Sequence, residues 1–171
     1  MKKFKFDTKT LAVMGVLIAL EVVIAHFVTF RPTQTIKLSL DFLPIVIAGI
    51  MFGPVPAMII GMLADILGAF IFPVGPYFPG FTLTAALTGL LYGFLLHRNQ
   101  SMLRIIIAVA VQQWILSLLL NTFWLKILYG MPYVPTLVTR LPQTAILTAV
   151  QLIFIPIIVK VINQIRKRAL T

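Results

Sequence analysis

The sequence contains no cysteine, which excludes a disulfide framework, thiolate metal sites, iron–sulfur clusters and a cysteine nucleophile. Its two histidines, His26 and His97, are far apart, and no glycine is followed by lysine, so a Walker-type phosphate cradle is missing. H-E-x-x-H and G-x-S-x-G are missing too. Any ATP hydrolysis is left to another chain. Acidic residues are scarce, 4 Asp+Glu against 14 Lys+Arg, for a net charge of +10. Charge of either sign makes up only 11% of the 171 residues, where a soluble domain carries roughly 25% to keep its surface wet. What is present instead is apolar: 60% of residues, with a mean hydropathy of +1.06. The solvent for such a chain is a bilayer. Six crossings of about 20 residues use roughly 120, and the remainder is too short for a water-soluble catalytic domain.

Spans fall between charges, because an unpaired charge in hydrocarbon costs about 2.5 to 3.5 kcal/mol even on the lenient insertion scale. Residues 105–125 and 141–159 are uncharged, and 42–96 contain only Asp65. The last stretch is long enough for three helices, divided at Gly53-Pro54-Val55-Pro56 and between Pro73 and Gly80. With residues 10–29 in front, the pattern predicts an all-α integral membrane protein of six transmembrane helices over 1–171, a single six-helix membrane domain. The expected spans are 9–29, 40–52, 55–72, 80–97, 102–128 and 137–163, the second short for a full crossing. Pro142 and Pro156 predict a bend in or near the last helix, which neighbouring helices tolerate in a membrane. Met1-Lys2-Lys3 ahead of an apolar stretch resembles a signal peptide, but Glu21 and the lack of a small-x-small cleavage site predict a retained first helix.

An even count puts both termini on one side of the membrane. Lys2, Lys3, Lys5, Lys9, Arg98, Arg104, Lys160, Arg166, Lys167 and Arg168 fall on that side, and Arg31, Lys37, Lys126 and Arg140 on the other. Ten against four predicts cytoplasmic termini. The basic tails then serve as topology determinants near anionic lipid, with no nucleic acid as partner.

Polar groups at membrane depth must be compensated, which makes them functional candidates. Loop 1 supplies Arg31, Thr33, Gln34 and Lys37; loop 3 supplies Tyr77 and Phe78, and Phe81 and Thr82 open the fourth helix. The outer part of the fifth helix adds Asn121, Trp124, Lys126 and Tyr129, and the sixth opens with Arg140 and Gln143. Cations, amides and aromatics on one side suit a planar, hydrogen-bonding anion, with aromatics sandwiching the ring and Arg gripping carboxylates. Trp124, Tyr129 and Tyr77 also fit a second reading as interfacial belt anchors. Arg31, Lys37 and Lys126 also fit a solvated or snorkelling role. Arg140 is harder to dismiss, because a cation near the start of a helix meets the positive end of the dipole, which an anion would offset.

Asp65 lies mid-helix with no cation within one turn, so it is protonated, paired across helices or held against a ligand donor. Glu21 raises the same choice, with the structural pair favoured. Gly15 and Ala19, with Ala12 nearby, are small residues spaced to let another helix approach, either a partner or an internal neighbour; Gly61 and Gly68 read the same way.

Asp41-Phe42-Leu43-Pro44-Ile45, Met51-Phe52-Gly53-Pro54 and Gly61-Met62-Leu63-Ala64-Asp65-Ile66-Leu67-Gly68 resemble the substrate-binding S components of energy-coupling factor vitamin transporters. Phe72 to Thr84, Leu87 to Gly93, Asn121 to Leu125 and Ile127 to Gly130 resemble the folate-specific members. The resemblance covers nearly the whole chain. It implies high-affinity binding of folate or a reduced folate from outside the cell membrane, and no catalytic residues, cofactor or metal in this chain. It also implies, as partners, a transmembrane coupling subunit and two cytoplasmic ATPases, with the S component toppling in the membrane. The family's docking motif on helix 1, usually two alanines, is matched here by Gly15 and Ala19, the glycine being a departure. Where the family often has a lysine near the position of Gln143, this chain has glutamine. Taken with the chemistry of the polar and aromatic groups above, the expected substrate residues are Arg31, Lys37, Asp65, Tyr77, Phe78, Phe81, Thr82, Asn121, Trp124, Tyr129, Arg140 and Gln143. The alternatives are an S component for another vitamin, thiamine fitting poorly because it is cationic, and a proton-coupled secondary carrier using Glu21 and Asp65, which lacks an evident inverted repeat. An intramembrane enzyme has only Ser39, Ser101 and Ser117 as serine nucleophiles.

Overall fold

The computed structural model describes residues 7–31 and 35–168. Lys2, Lys3, Lys5, Thr33 and Gln34 lie outside the described residues, as does the side chain of Arg166. The described chain forms six helical segments: α1, Thr8–Phe27; α2, Phe42–Phe52; α3, Pro54–Ile71; α4, Pro79–Leu96; α5, Met102–Tyr129; and α6, Tyr133–Arg168. Five are long and apolar enough to cross a membrane by length and composition. α2, with 11 residues, reaches only about 16 Å.

Each helix overlaps its expected span, and the largest differences are at the two ends of α6. It begins four residues earlier than expected because Pro135 falls in its first turn, where a missing N–H costs nothing. It runs on to Arg168 because Lys and Arg favour helix once the apolar run ends. Both Pro142 and Pro156 lie inside this one continuous helix. In loop 1, Phe30 and Leu38 pair through two backbone hydrogen bonds of 2.9 Å, an extended bridge that the all-helical reading did not include.

α2 is short because Gly53, with φ +91°, and Pro54 end it; it sits inside the bundle. It packs on α1, α3, α4 and α6, and most of its residues are buried. One apolar cluster joins Phe42, Ile45, Val46 and Ile50 of α2 to Tyr92 and Leu96 of α4, Ile105 and Val109 of α5 and Ile155 of α6. A second joins Met14 and Leu17 of α1 to Ala48 of α2 and Ala57 and Ile60 of α3. Outward, the helices present Leu11, Val16, Phe70, Phe94, Ile115 and Ile153, all exposed, while Thr84, Gln113, Arg140, Gln143 and Gln151 are buried. Apolar groups outside and polar groups inside suit a lipid surround rather than water.

In lipid the hydrophobic effect does not draw helices together, so close packing and hydrogen bonds must. α3 and α4 form the tightest pair, and glycine makes it possible. A Cβ at Gly89 would lie 2.3 Å from the Ala57 carbonyl oxygen, and one at Gly93 2.3 Å from Pro54 Cα. Gly61 likewise faces the Ala85 carbonyl, and Gly68 makes room for the His26 ring, so both serve internal packing. Gly89→Ala is expected to destabilise the protein by about 1–3 kcal/mol, because backbone atoms on α3 must move. Gly15→Ala, whose Cβ meets nothing within 4 Å among the described residues, is the control and should leave the melting temperature in detergent unchanged or slightly raised, since alanine favours helix. Equal melting temperatures for the two variants would count against glycine-mediated packing of α3 on α4.

Candidate functional site

Between α1 and α3 on one side and α5 and α6 on the other lies a cavity of about 670 Å³, within the range of small-molecule sites. Among the described residues α1 makes no packing contact with α5 or α6, nor does α3, so α2 and α4 bridge the two walls.

The α1–α3 wall carries acids. Glu21 and His26 come from α1 and Asp65 from α3. His26 Nδ1 lies 2.9 Å from the Val22 carbonyl and donates to it, since a carbonyl oxygen only accepts. Asp65 Oδ2 accepts from the Thr82 hydroxyl at 2.6 Å. That hydroxyl has given its one proton, so the Tyr77 hydroxyl, 3.1 Å away, donates to Thr82. The chain Tyr77–Thr82–Asp65 ties loop 3 and α4 to α3. Gly75 of loop 3 closes against the Tyr129 hydroxyl, where a Cβ would come within 2.6 Å.

The α5–α6 wall carries a cation and amides. α5 is α-helical over Met102–Ala110 and Asn121–Tyr129 but π-helical over Val111–Leu120. The wider turns hold Gln112, Gln113, Ser117 and Asn121 toward the cavity at a spacing of four to five residues. From α6 come Arg140, Gln143, Leu147 and Gln151. Arg140 is 5% exposed, and its Nη1 donates to Thr122 Oγ1 at 3.0 Å. Deeper, Gln151 accepts from the Tyr92 hydroxyl at 2.8 Å and donates to Gln112 at 3.2 Å. Arg140 to Gln151 spans about 16 Å along the helix.

Loop 1 forms the rim. Lys37 is ion-paired with Asp41, and its backbone N–H donates to Gln143 Oε1 at 3.3 Å, joining the loop to α6. Arg31 is exposed and donates to the Ala25 carbonyl at 3.1 Å.

Of the twelve residues expected to contact substrate, Arg31, Lys37, Asp65, Tyr77, Phe78, Phe81, Asn121, Tyr129, Arg140 and Gln143 line this one cavity. Thr82 and Trp124 stand behind it. Thr82 holds Asp65, and the Trp124 indole donates to Thr84 Oγ1 at 3.1 Å with its ring 5.7 Å from that of Phe78. Lys126 is exposed and lies outside the lining. Sequence reasoning missed Gln112, Gln113 and Gln151, and weighed Glu21 toward structure, although all four face the cavity. The available signal was an amide in the middle of a span read only for charge. Ala12, Gly15 and Ala19 are exposed along α1, away from the buried Met14 and Leu17.

Among the described residues, the buried side-chain atoms lacking a hydrogen-bond partner are Glu21 Oε2, Gln113 Oε1, Asn121 Oδ1 and Arg140 Nε. All four residues line the cavity. An unpaired buried polar atom costs about 1–3 kcal/mol, so four in one place define the chemistry of what belongs there: an acceptor for the arginine and donors for the three oxygens. Among the described residues no three His, Asp or Glu gather as a metal site.

A bundle with an apolar exterior and a polar, loop-rimmed cavity is a membrane-embedded receptor for a small polar molecule. The chain belongs to the family of substrate-specific components of ECF transporters, whose family model matches residues 9–163. It is 39% identical over 143 residues to the folate transporter FolT of Clostridium novyi (strain NT), covering 83% of each chain. It is 30% identical over 127 residues to FolT of Leuconostoc mesenteroides subsp. mesenteroides, covering 73% of this chain and 68% of the relative. Its fold matches a crystal structure of FolT bound with folic acid at a TM-score of 0.82 and 36% identity, over 87% of this chain and 91% of that one. As a substrate-specific component the protein is a transport subunit and not an enzyme.

Proposed function

We propose that this chain binds folate or a reduced folate from outside the cell, as the substrate-specific subunit of a transporter powered by other chains. The observation that carries the reading is the cavity's two-sided chemistry. Arg140 on one wall suits a carboxylate, and Glu21 and Asp65 on the other suit a ring that carries N–H donors. Folate has both ends and a flat aromatic middle, for which Phe78, Phe81 and Tyr129 stand beside the path. Arg31 and Lys37 supply further positive charge at the rim, and Asn121 and Gln143 supply amides. The likeness to FolT relatives supports the same substrate.

The whole chain works as a single membrane domain with both termini in the cytoplasm and the loop 1 and loop 3 end of the cavity facing outside. The ten-to-four distribution of Lys and Arg supports that orientation. A transmembrane coupling subunit and two cytoplasmic ATPases supply the energy. Ala12, Gly15 and Ala19 form the face on which the coupling subunit docks, since they are exposed and a Cβ at Gly15 meets nothing within 4 Å among the described residues.

Titration calorimetry of the purified chain with folic acid, without ATP, tests the reading. We expect saturable 1:1 binding. No heat at micromolar protein, together with no displacement of labelled folate, would overturn it.

A further inference from the structure

We propose that Glu21 is a specificity-determining residue of the cavity, accepting a hydrogen bond from the exocyclic amino group of the ligand's ring. The inference rests on the folate reading and names a contact that reading does not require. Glu21 is 7% exposed, faces the cavity, and its Oε2 has no hydrogen-bond partner. It therefore fails as the interhelical pair that a buried acid on α1 would otherwise form. Its neighbours facing the cavity are Asp65 on α3, His26 on α1, and the Lys37–Asp41 pair of loop 1. None of them donates to Oε2.

The two acids on this wall are not equivalent. Asp65 is only partly buried, and its Oδ2 is already engaged by the Thr82 hydroxyl. Glu21 is the more buried and the less satisfied, so it gains more from a ligand donor. Charge alone does not decide which ligand group that is. An amino group conjugated to a ring has two N–H donors and no useful acceptor, and both a carboxylate oxygen and the carbonyl oxygen of a neutral carboxyl can accept from it, the carboxylate more strongly. The contact thus holds in either protonation state. Among the described residues, fully buried acceptors without a partner also outnumber fully buried donors without one, Glu21 Oε2, Gln113 Oε1 and Asn121 Oδ1 against Arg140 Nε. A ligand rich in N–H groups satisfies this set, and an analogue lacking one of them leaves an oxygen buried without a partner.

The test pairs a ligand change with a protein change. Folic acid and its 2-desamino analogue are titrated calorimetrically into the full-length protein in detergent, as wild type and as Glu21→Met, which keeps the length of the side chain and removes both acceptors. Wild type is expected to bind the analogue about 10- to 100-fold more weakly than folic acid. Glu21→Met should bind folic acid more weakly by a similar factor and no longer distinguish the two ligands. The ratio of ratios isolates the contact from any general effect of the substitution. The ligand-free variant should melt no lower than wild type, because an unpaired buried acid has been removed. Should Glu21→Met fail to fold, Glu21→Ala is measured in the same way. Undiminished discrimination in the variant, with wild type binding folic acid, would overturn the role of Glu21 and leave the folate reading standing. Wild type that binds neither ligand would overturn both.

Discussion

Arg140→Ala is expected to lower affinity for folate by on the order of 100-fold, while changing affinity for pteroic acid by much less. Pteroic acid has the same ring system but lacks the glutamate whose carboxylates Arg140 is proposed to hold. A hydrogen bond between charged groups is worth about 1.5–3 kcal/mol, and a planar guanidinium gives two to one carboxylate. At present Nη1 is held by Thr122 and Nε by nothing, which fixes the side chain without satisfying it. Lysine at this position keeps the charge and loses the fork, so Arg140→Lys should recover only a small part of the affinity. The empty protein carries a buried cation that, among the described residues, has no acidic partner. Removing it relieves a desolvation cost. The ligand-free variant should therefore melt close to wild type, while the upward shift produced by folate collapses. Equal losses for folate and pteroic acid would give Arg140 a role other than gripping the tail.

The double substitution Gly15→Trp and Ala19→Trp should abolish folate uptake by cells and leave binding by the purified protein within about threefold of wild type. Both residues are exposed on α1, on the face away from Met14 and Leu17, which pack against α2 and α3. Among the described residues nothing beyond its own helix turn lies within 4 Å of a Cβ at Gly15. Indole rings there displace only lipid in the free protein, but hold an incoming helix several ångströms away in a complex. Copurification of the coupling subunit and ATPases with the chain should be lost in parallel. Impaired folate binding would show that the pair packs within the bundle. Normal uptake would place the docking face elsewhere.

The residues that line the cavity were legible to different degrees, for reasons that differ by residue type. Arg140, Asp65, Arg31 and Lys37 were found because a charge at membrane depth stands out in any reading. Phe78, Phe81, Tyr77 and Tyr129 were found from their place beside the glycine- and proline-rich loop 3 and at the outer end of α5. Gln112, Gln113 and Gln151 were passed over because an uncharged amide does not interrupt an apolar run, and its cost in lipid appears only when its partners are counted. Trp124 and Thr82 were expected at the ligand; they lie outside the cavity lining, hydrogen-bonded to Thr84 and Asp65, which are in it.

The sequence by itself determined the helices. In a bilayer backbone N–H and C=O groups must be hydrogen-bonded, which in a chain of long apolar runs means helices, so the spacing of charges and prolines along the chain is enough to count and place the spans. It did not determine how each helix is rotated. In water an apolar stripe marks the buried face, but a membrane helix is apolar toward lipid and toward its neighbours alike, so periodicity does not say which side turns inward. Only the tertiary structure decided that Gly61 and Gly89 meet backbone while Gly15 meets nothing, and that Glu21 opens on the cavity instead of pairing across helices. It also decided that a short, buried α2, together with α4, bridges the two walls of the cavity. These are matters of contact between distant segments, fixed by close packing in three dimensions.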